Sequence, residues 1–222
     1  DDKVVVRITQ WPSRGRNPRG RVIENLGNKD DIGTDIKSLI RQHRLDEEFP
    51  QNVLGAAALL PDAVQEEDLA GRRVLRRLNT FTIDGRTAKD FDDAVSIEDI
   101  PSGWRLGVHI ADVSHYVTDG SPLDREAFKR ATSVYLLDRV LPMLPEALSN
   151  GLCSLNPDVD RLTFTCTMDI DPAGRVLSYD IYPSVIHSHA RLVYEDVTRL
   201  LETGEEAGFA PEVARDLRRM ER

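Results

Sequence analysis

The 222-residue chain reads as an α+β protein, because strand-type and helix-type segments cluster instead of alternating. Three observations carry this reading. RLTFTCTMDID (161–171) and GRVLSYDIYPSVI (174–186) face each other across a Pro172–Gly174 turn, the pattern of a β-hairpin. GWRLGVHIADVSHYV (103–117) forms a second β-rich block. Helical periodicity is confined to 32–48, 50–61, 121–131, 190–202 and 211–222. A composition of 40% hydrophobic and 30% charged residues suits a globular chain with ample core.

From the start, DDKVVVRI (1–8) is a strand, WPSRGRNPRG (11–20) a loop, and RVIENLG a second strand ending at Gly27. The pair resembles the tail of a small β-barrel, and both ends of the chain are expected to be cut. Ile36, Leu39 and Ile40 share one face of the 32–48 helix. PQNVLGAAALLP starts a helix after Pro50 and stops it at Pro61. QEEDLAGRRVL (65–75) is a polar connector. Ser121–Pro122 is a helix-start signal, SVYLL (133–137) is short and apolar, and VLPMLPEALSNGLCSL (140–155) is a structured loop with a short helix. There is no internal repeat.

Between connector and hairpin lies TFTIDGRTAKDFDDAVSIE (80–98), with Asp84, Asp90, Asp92 and Asp93 inside ten positions and apolar strand residues on both flanks. The fold thus gathers carboxylates at a strand junction. A carboxylate pair ~4 Å apart repels by ~1 kcal/mol in water and ~4 kcal/mol at a protein surface. Water or a cation must relieve this, and hard oxygen donors suit Mg²⁺ or Mn²⁺. In an extended chain Asp90 and Asp92 share one side and Asp93 the other, so the site requires a turn or bulge at Phe91–Asp92, while Gly85 turns Asp84 toward the rest. The plain alternatives are an Asp84–Gly85 turn pair and a helix cap at Asp90. EF-hand ligand spacing is absent.

No apolar run approaches the ~20 residues of a membrane span, and no signal-peptide pattern opens the chain. Cys153 and Cys166 lack metal-type spacing and read as buried thiols of a reducing compartment. The net charge of −9 argues against nucleic acid, yet Arg14, Arg16, Arg19 and Arg21, and then Arg72, Arg73, Arg76 and Arg77, form local basic clusters.

TIDGRTAKDFDDAV, GVHIADVSHYV, SPLDREAFKRATSVYL, LPMLPEALSNGLCSLNP and HARLVYEDV, in this order, resemble the catalytic domain of the ribonuclease II/ribonuclease R (RNB) superfamily, nearest its ribonuclease R branch. The resemblance implies the end of an OB-fold cold-shock barrel over 1–30, a helical connector over 31–69, and the N-terminal part of the RNB domain, a mixed sheet with helices, over 70–222. It further implies a Mg²⁺-dependent, hydrolytic 3′→5′ exoribonuclease, with Mn²⁺ a possible substitute. Such an enzyme degrades single-stranded RNA processively to nucleoside 5′-monophosphates in the cytoplasm, with no membrane and no obligate protein partner.

Carried over residue by residue, Asp84, Asp90, Asp92 and Asp93 resemble the catalytic, metal-contacting quartet. Tyr135 resembles the aromatic that stacks on bases near the 3′ end, and Tyr194 the tyrosine that helps select RNA. An isolated fragment that lacks the family's downstream half is expected to be inactive or prone to self-association. A non-catalytic RNA-binding relative and a hydrolase of another phosphodiester are the alternatives. His109 reads as a core histidine, and His187 and His189 as structural. Asp112 reads as a supporting hydrogen-bond partner, and Asn150 and Asn156 belong to a loop that either lines an RNA path or packs.

Overall fold

A computed structural model describes residues 1–206 and 208–221. In chain order the elements are β1 (Asp2–Gln10), β2 (Arg19–Asn28), α1 (Thr34–His43), α2 (Gln51–Ala58), β3 (Arg73–Val74), β4 (Phe81–Asp84), β5 (Asp93–Ile100), β6 (Gly103–Ala111), α3 (Val113–Tyr116), α4 (Pro122–Arg130), β7 (Val134–Tyr135), β8 (Val140–Leu141), β9 (Asp160–Ile170), β10 (Val176–His187), β11 (Ala190–Val193), α5 (Tyr194–Thr203) and α6 (Pro211–Met220). Short helical turns cover Glu66–Leu69 and Ala147–Leu152.

Two compact units result: 1–51 with 126–143, and 52–125 with 144–222. In the first, β1 and β2 pair antiparallel through three register shifts. Ile36 and Ile40 of α1 form a buried cluster with Leu141. Arg130 fixes the returning segment: Nη1 donates to the carbonyls of Asp46 (3.0 Å) and Pro142 (3.2 Å), and Nη2 to that of Glu48 (2.7 Å).

The second unit is built on a seven-stranded mixed sheet of order β11-β4-β5-β6-β9-β10-β3. The β11–β4 and β10–β3 pairs are parallel, and the remaining pairs are antiparallel. The anticipated hairpin is β9–β10. Helices α5 and α6 cover one face over β4 and β11, burying Phe81, Leu192, Leu200, Val213 and Leu217 together. On β6, His109 is fully buried between Ser96 Oγ (3.0 Å) and Thr165 Oγ1 (2.7 Å), as a core histidine should be. A Cβ at Gly107 would come within 2.3 Å of Ser96 Oγ, so this glycine lets the histidine pair form.

Two segments depart from the sequence reading. The helix placed at 190–202 begins only at Tyr194, because 190–193 pair with β4 as a strand. The β-reading of 103–117 ends at Ala111, because Asp112 caps a helical turn by accepting from His115 N–H at 3.2 Å. The helix expected over 211–222 is formed over Pro211–Met220, and Arg222 lies outside the described residues. No helix among the described residues is long and apolar enough to cross a membrane.

Candidate metal centre at the β4–β5 junction

Asp84 is the last residue of β4 and Asp93 the first of β5, so the junction sets the two strand-end carboxylates at one end of the sheet. Residues 85–92 connect them in an irregular loop that carries Asp90 and Asp92. A turn closes from Ala88 N–H to the Gly85 carbonyl (3.0 Å). Gly85 has no left-handed φ, and a Cβ there would meet nothing, so the turn forms as expected without requiring glycine. Helix capping at Asp90 does not occur, since no helix starts in this loop.

Phe91 is the loop's anchor. Its side chain is buried. Its N–H donates to Ser154 Oγ (3.0 Å), and its carbonyl accepts from Leu155 N–H (2.8 Å). Ala111 N–H donates to the Asp92 carbonyl (2.9 Å), which ties the end of the loop to β6. The buried Phe91 side chain lies between Asp90 and Asp92 in the loop.

On the outer side, Arg191 Nη2 of β11 reaches the carbonyls of Gly85 (3.2 Å), Arg86 (2.7 Å) and Ala88 (3.3 Å), and its guanidinium lies 5.1 Å from the Phe91 ring. Neither Arg191 nor Ser154 stands out in the sequence. Their contacts span about a hundred and about sixty residues, and only the HARLV and CSL segments that hold them are recognisable beforehand.

The carboxylates remain in electrostatic conflict. Burial first, then the charges of Asp93, Asp90 and Asp92, push the Asp84 carboxyl above its ordinary range, with Arg191 opposing. Asp92 reaches solvent on one side, yet partial dehydration and then Asp90 and Asp93 raise it too. Asp84 thus senses the other three charges, and Asp92 those of Asp90 and Asp93. Among the described residues no three carboxylate, imidazole or thiol side chains converge closely enough to close around an ion by themselves. Mg²⁺ keeps several waters and takes only one or two protein carboxylates alongside substrate phosphates, so this open donor set fits it.

Tyr194 follows Val193, which is in register with Asp84, so its ring starts α5 at the carboxylate end of the sheet and is exposed. Tyr135, also exposed, lies on β7 in the other compact unit. Asp112 is a structural group. It pairs with Arg72 and accepts from Ser114 Oγ (2.7 Å), with both partners of the ion pair nearly buried. Burial would raise its pKa, but these bonds, the Arg72 charge and the His115 N–H outweigh burial and hold the carboxyl below its ordinary value.

Arg73 and Arg76 of the second arginine cluster are also spent on pairing. Arg73 binds Asp180, and Arg76 binds Asp160 at 2.8 Å. His187 contacts the same Asp160 at 3.1 Å. Asn156 donates to the Asn150 carbonyl (3.1 Å) within the packing loop. Cys153 is buried and its thiol is pushed up to about 12, whereas Cys166 is only half-buried. A cleft of about 980 Å³ lies at the far end of β5, beside Glu98 and Asp99, away from the aspartates. Of its four arginines, Arg76, Arg215 and Arg219 are engaged by Asp160, Asp216 or Asp99.

A sheet-end carboxylate cluster with an exposed tyrosine beside it defines a candidate metal-dependent site. Residues 72–222 match the RNB domain family, and residues 1–50 match the cold shock domain. The chain belongs to the RNB domain family. It is similar to ribonuclease R of Thermotoga maritima, with 54% identity over 205 residues, or 91% of this chain and 29% of that protein. In structure it is similar to Mycoplasma genitalium RNase R in complex with double-stranded RNA (TM-score 0.90, 35% identity, 98% of this chain and 39% of that one). It is also similar to yeast Ssd1, a pseudonuclease (TM-score 0.75, 26% identity, 92% and 26%). The chain thus spans between about a quarter and two fifths of the length of these relatives.

Proposed function

We propose that this chain carries the carboxylate centre of a hydrolytic 3′→5′ exoribonuclease that degrades single-stranded RNA processively to nucleoside 5′-monophosphates. The observation that carries this reading is the set of four mutually repelling aspartates held at one sheet end. Carboxylates crowded by like charge, with Asp84 and Asp92 partly dehydrated, burden the folded state and mark a candidate functional site. Family membership and the similarity to ribonuclease R select RNA as the substrate class. Of Asp84, Asp90, Asp92 and Asp93, one or two would bind Mg²⁺, or Mn²⁺ in its place, directly and the others through its water shell. A bound divalent ion there supplies Lewis-acid polarisation of a phosphate and a more acidic water.

The remaining roles belong to the chain itself. Asp84 and Asp93, fixed by strand pairing, set the frame of the site. Asp90 and Asp92 ride the anchored loop and supply carboxylate oxygens on its open side. Tyr194 presents an aromatic face at the same sheet end, where stacking is worth ~1–3 kcal/mol per base and tolerates any sequence. Tyr135 is assigned the same kind of contact nearer the 3′ end, on its resemblance alone.

A second reading, a non-catalytic RNA-binding relative, draws on the similarity to the pseudonuclease Ssd1. The intact quartet favours the enzyme. Incubation of 5′-labelled single-stranded RNA with Mg²⁺ and this chain separates the two. Stepwise shortening from the 3′ end, lost with Asp92→Asn and with EDTA, supports the nuclease. RNA retention without decay supports the second reading.

A further inference from the structure

We infer that Ser154 is a positioning residue for the carboxylate centre: its hydroxyl sets the direction of the Asp90 side chain, and through it the affinity of the cluster for a divalent cation. This inference rests on the cation-binding reading above.

The argument is geometric. The fully buried Ser154 Oγ accepts from Phe91 N–H (3.0 Å) and donates to the Lys89 carbonyl (3.0 Å). Those two groups belong to the peptide units on either side of Asp90. One hydroxyl therefore clasps both peptide planes that flank a single aspartate and fixes the two backbone torsions that aim its carboxylate. The next two peptide carbonyls, Phe91 and Asp92, are tied to Leu155 N–H (2.8 Å) and Ala111 N–H (2.9 Å). Of the anchors at residues 89–92, the clasp at Asp90 is the one that depends on a removable side chain; Arg191 holds the earlier carbonyls of Gly85, Arg86 and Ala88.

The clasp is itself braced. The Ser154 carbonyl accepts from Arg161 Nε at 2.8 Å, and Arg161 Nη1 donates to the Asp160 carbonyl at 2.9 Å. Arg161 is 8% exposed and makes no ion pair among the described residues. A buried guanidinium held by backbone carbonyls alone costs desolvation free energy that simple packing would not require. Its placement directly behind the serine is consistent with a rigid support for the loop. Groups that orient metal ligands typically change metal affinity by ~10–100-fold when removed.

The test is Mn²⁺ binding by this chain, measured by calorimetry and by the electron paramagnetic resonance of free Mn²⁺, beside thermal unfolding. Ser154→Ala is expected to weaken Mn²⁺ binding by about tenfold or more. Ser154→Cys, which keeps a weak donor and acceptor of similar size, should fall between and carries the test if the alanine variant does not fold. Thr163→Val is the control. It removes an equally buried hydroxyl contact, to Ser184 Oγ at 2.6 Å, without touching the loop, and should leave Mn²⁺ affinity unchanged.

Wild-type affinity in both Ser154 variants, or an equal loss in Thr163→Val, would overturn the inference alone. A wild-type chain that takes up no Mn²⁺ would overturn the cation-binding reading and this inference with it. A wild-type chain that binds Mn²⁺ yet does not shorten RNA would instead count against the nuclease reading alone.

Discussion

Asp112 and Asp92 sit on neighbouring backbone segments, since the residue before Asp112 donates its N–H to the Asp92 carbonyl. Their environments are opposite. Asp112 is buried, ion-paired to Arg72, bonded by Ser114 and His115, and its carboxyl is held low. Asp92 faces like charges and its carboxyl is pushed up. The fold thus neutralises Asp112 with a cation and leaves Asp92 crowded by like charge. A carboxylate crowded by like charge beside one that is fully ion-paired sets a candidate functional group against a stabilising one.

The sharpest way to break the comparison is to remove the paired member. Asp112→Ala strands the Arg72 guanidinium and deletes a helix cap, so it is expected to cost ~3–5 kcal/mol in denaturant unfolding. A loss near zero would make Asp112 equivalent to the quartet. The acid limb separates the two classes by sign. The contribution of Asp112 is present above the ordinary aspartate pKa and is lost as pH falls through its lowered native value. Asp84 and Asp92 do the reverse, because the native state gains protons first, so their repulsion fades as pH falls through their raised values.

His109 calibrates that experiment. Burial lowers its pKa from 6.5 to about 4, so the unfolded chain binds a proton before the folded one does. Stability is full above pH 6.5 and is expected to decline by ~3 kcal/mol as pH falls toward 4. The slope should vanish in a folded His109→Gln variant. A wild-type chain with flat stability over that window would show that the imidazole is not desolvated as the geometry implies.

Smaller effects sharpen the picture of the functional end. Tyr194→Ala should weaken binding of a short single-stranded RNA by ~1–3 kcal/mol with no change in the unfolding midpoint. An unchanged affinity, measured by fluorescence anisotropy, would return Tyr194 to a structural role. Smallest of all, Asp92→Asn should stabilise the metal-free chain by on the order of 0.5 kcal/mol, as expected for relief of one exposed like-charge contact. Destabilisation instead would mean that the native state already compensates this carboxylate.

The sequence discloses these two regions unequally. The β9–β10 hairpin, the helices and the position of the acidic run at a strand junction are legible because period and turn chemistry are local signals. The buried His109 was legible from its apolar strand. The four-residue β11 was not, since its register depends on β4 more than a hundred residues earlier and its residues continue straight into α5. The helical turn after Asp112 hides behind apolar alternation, although the aspartate itself is a cap signal. The supports of the acidic loop, Ser154 and Arg191, leave no periodic trace at all. A serine that bonds two peptide groups sixty residues away looks like any loop serine.

Uptake of a cation by the crowded carboxylates is the central expectation. Thermal unfolding with and without Mg²⁺, for wild type and Asp92→Asn, tests this directly. A ligand that binds only the folded state at 100 times its dissociation constant stabilises by ~2.7 kcal/mol. We predict an unfolding midpoint that rises with Mg²⁺ in the wild type, and a Mg²⁺ response that is largely lost in Asp92→Asn. An equal response in both proteins, or none in the wild type, would contradict the account.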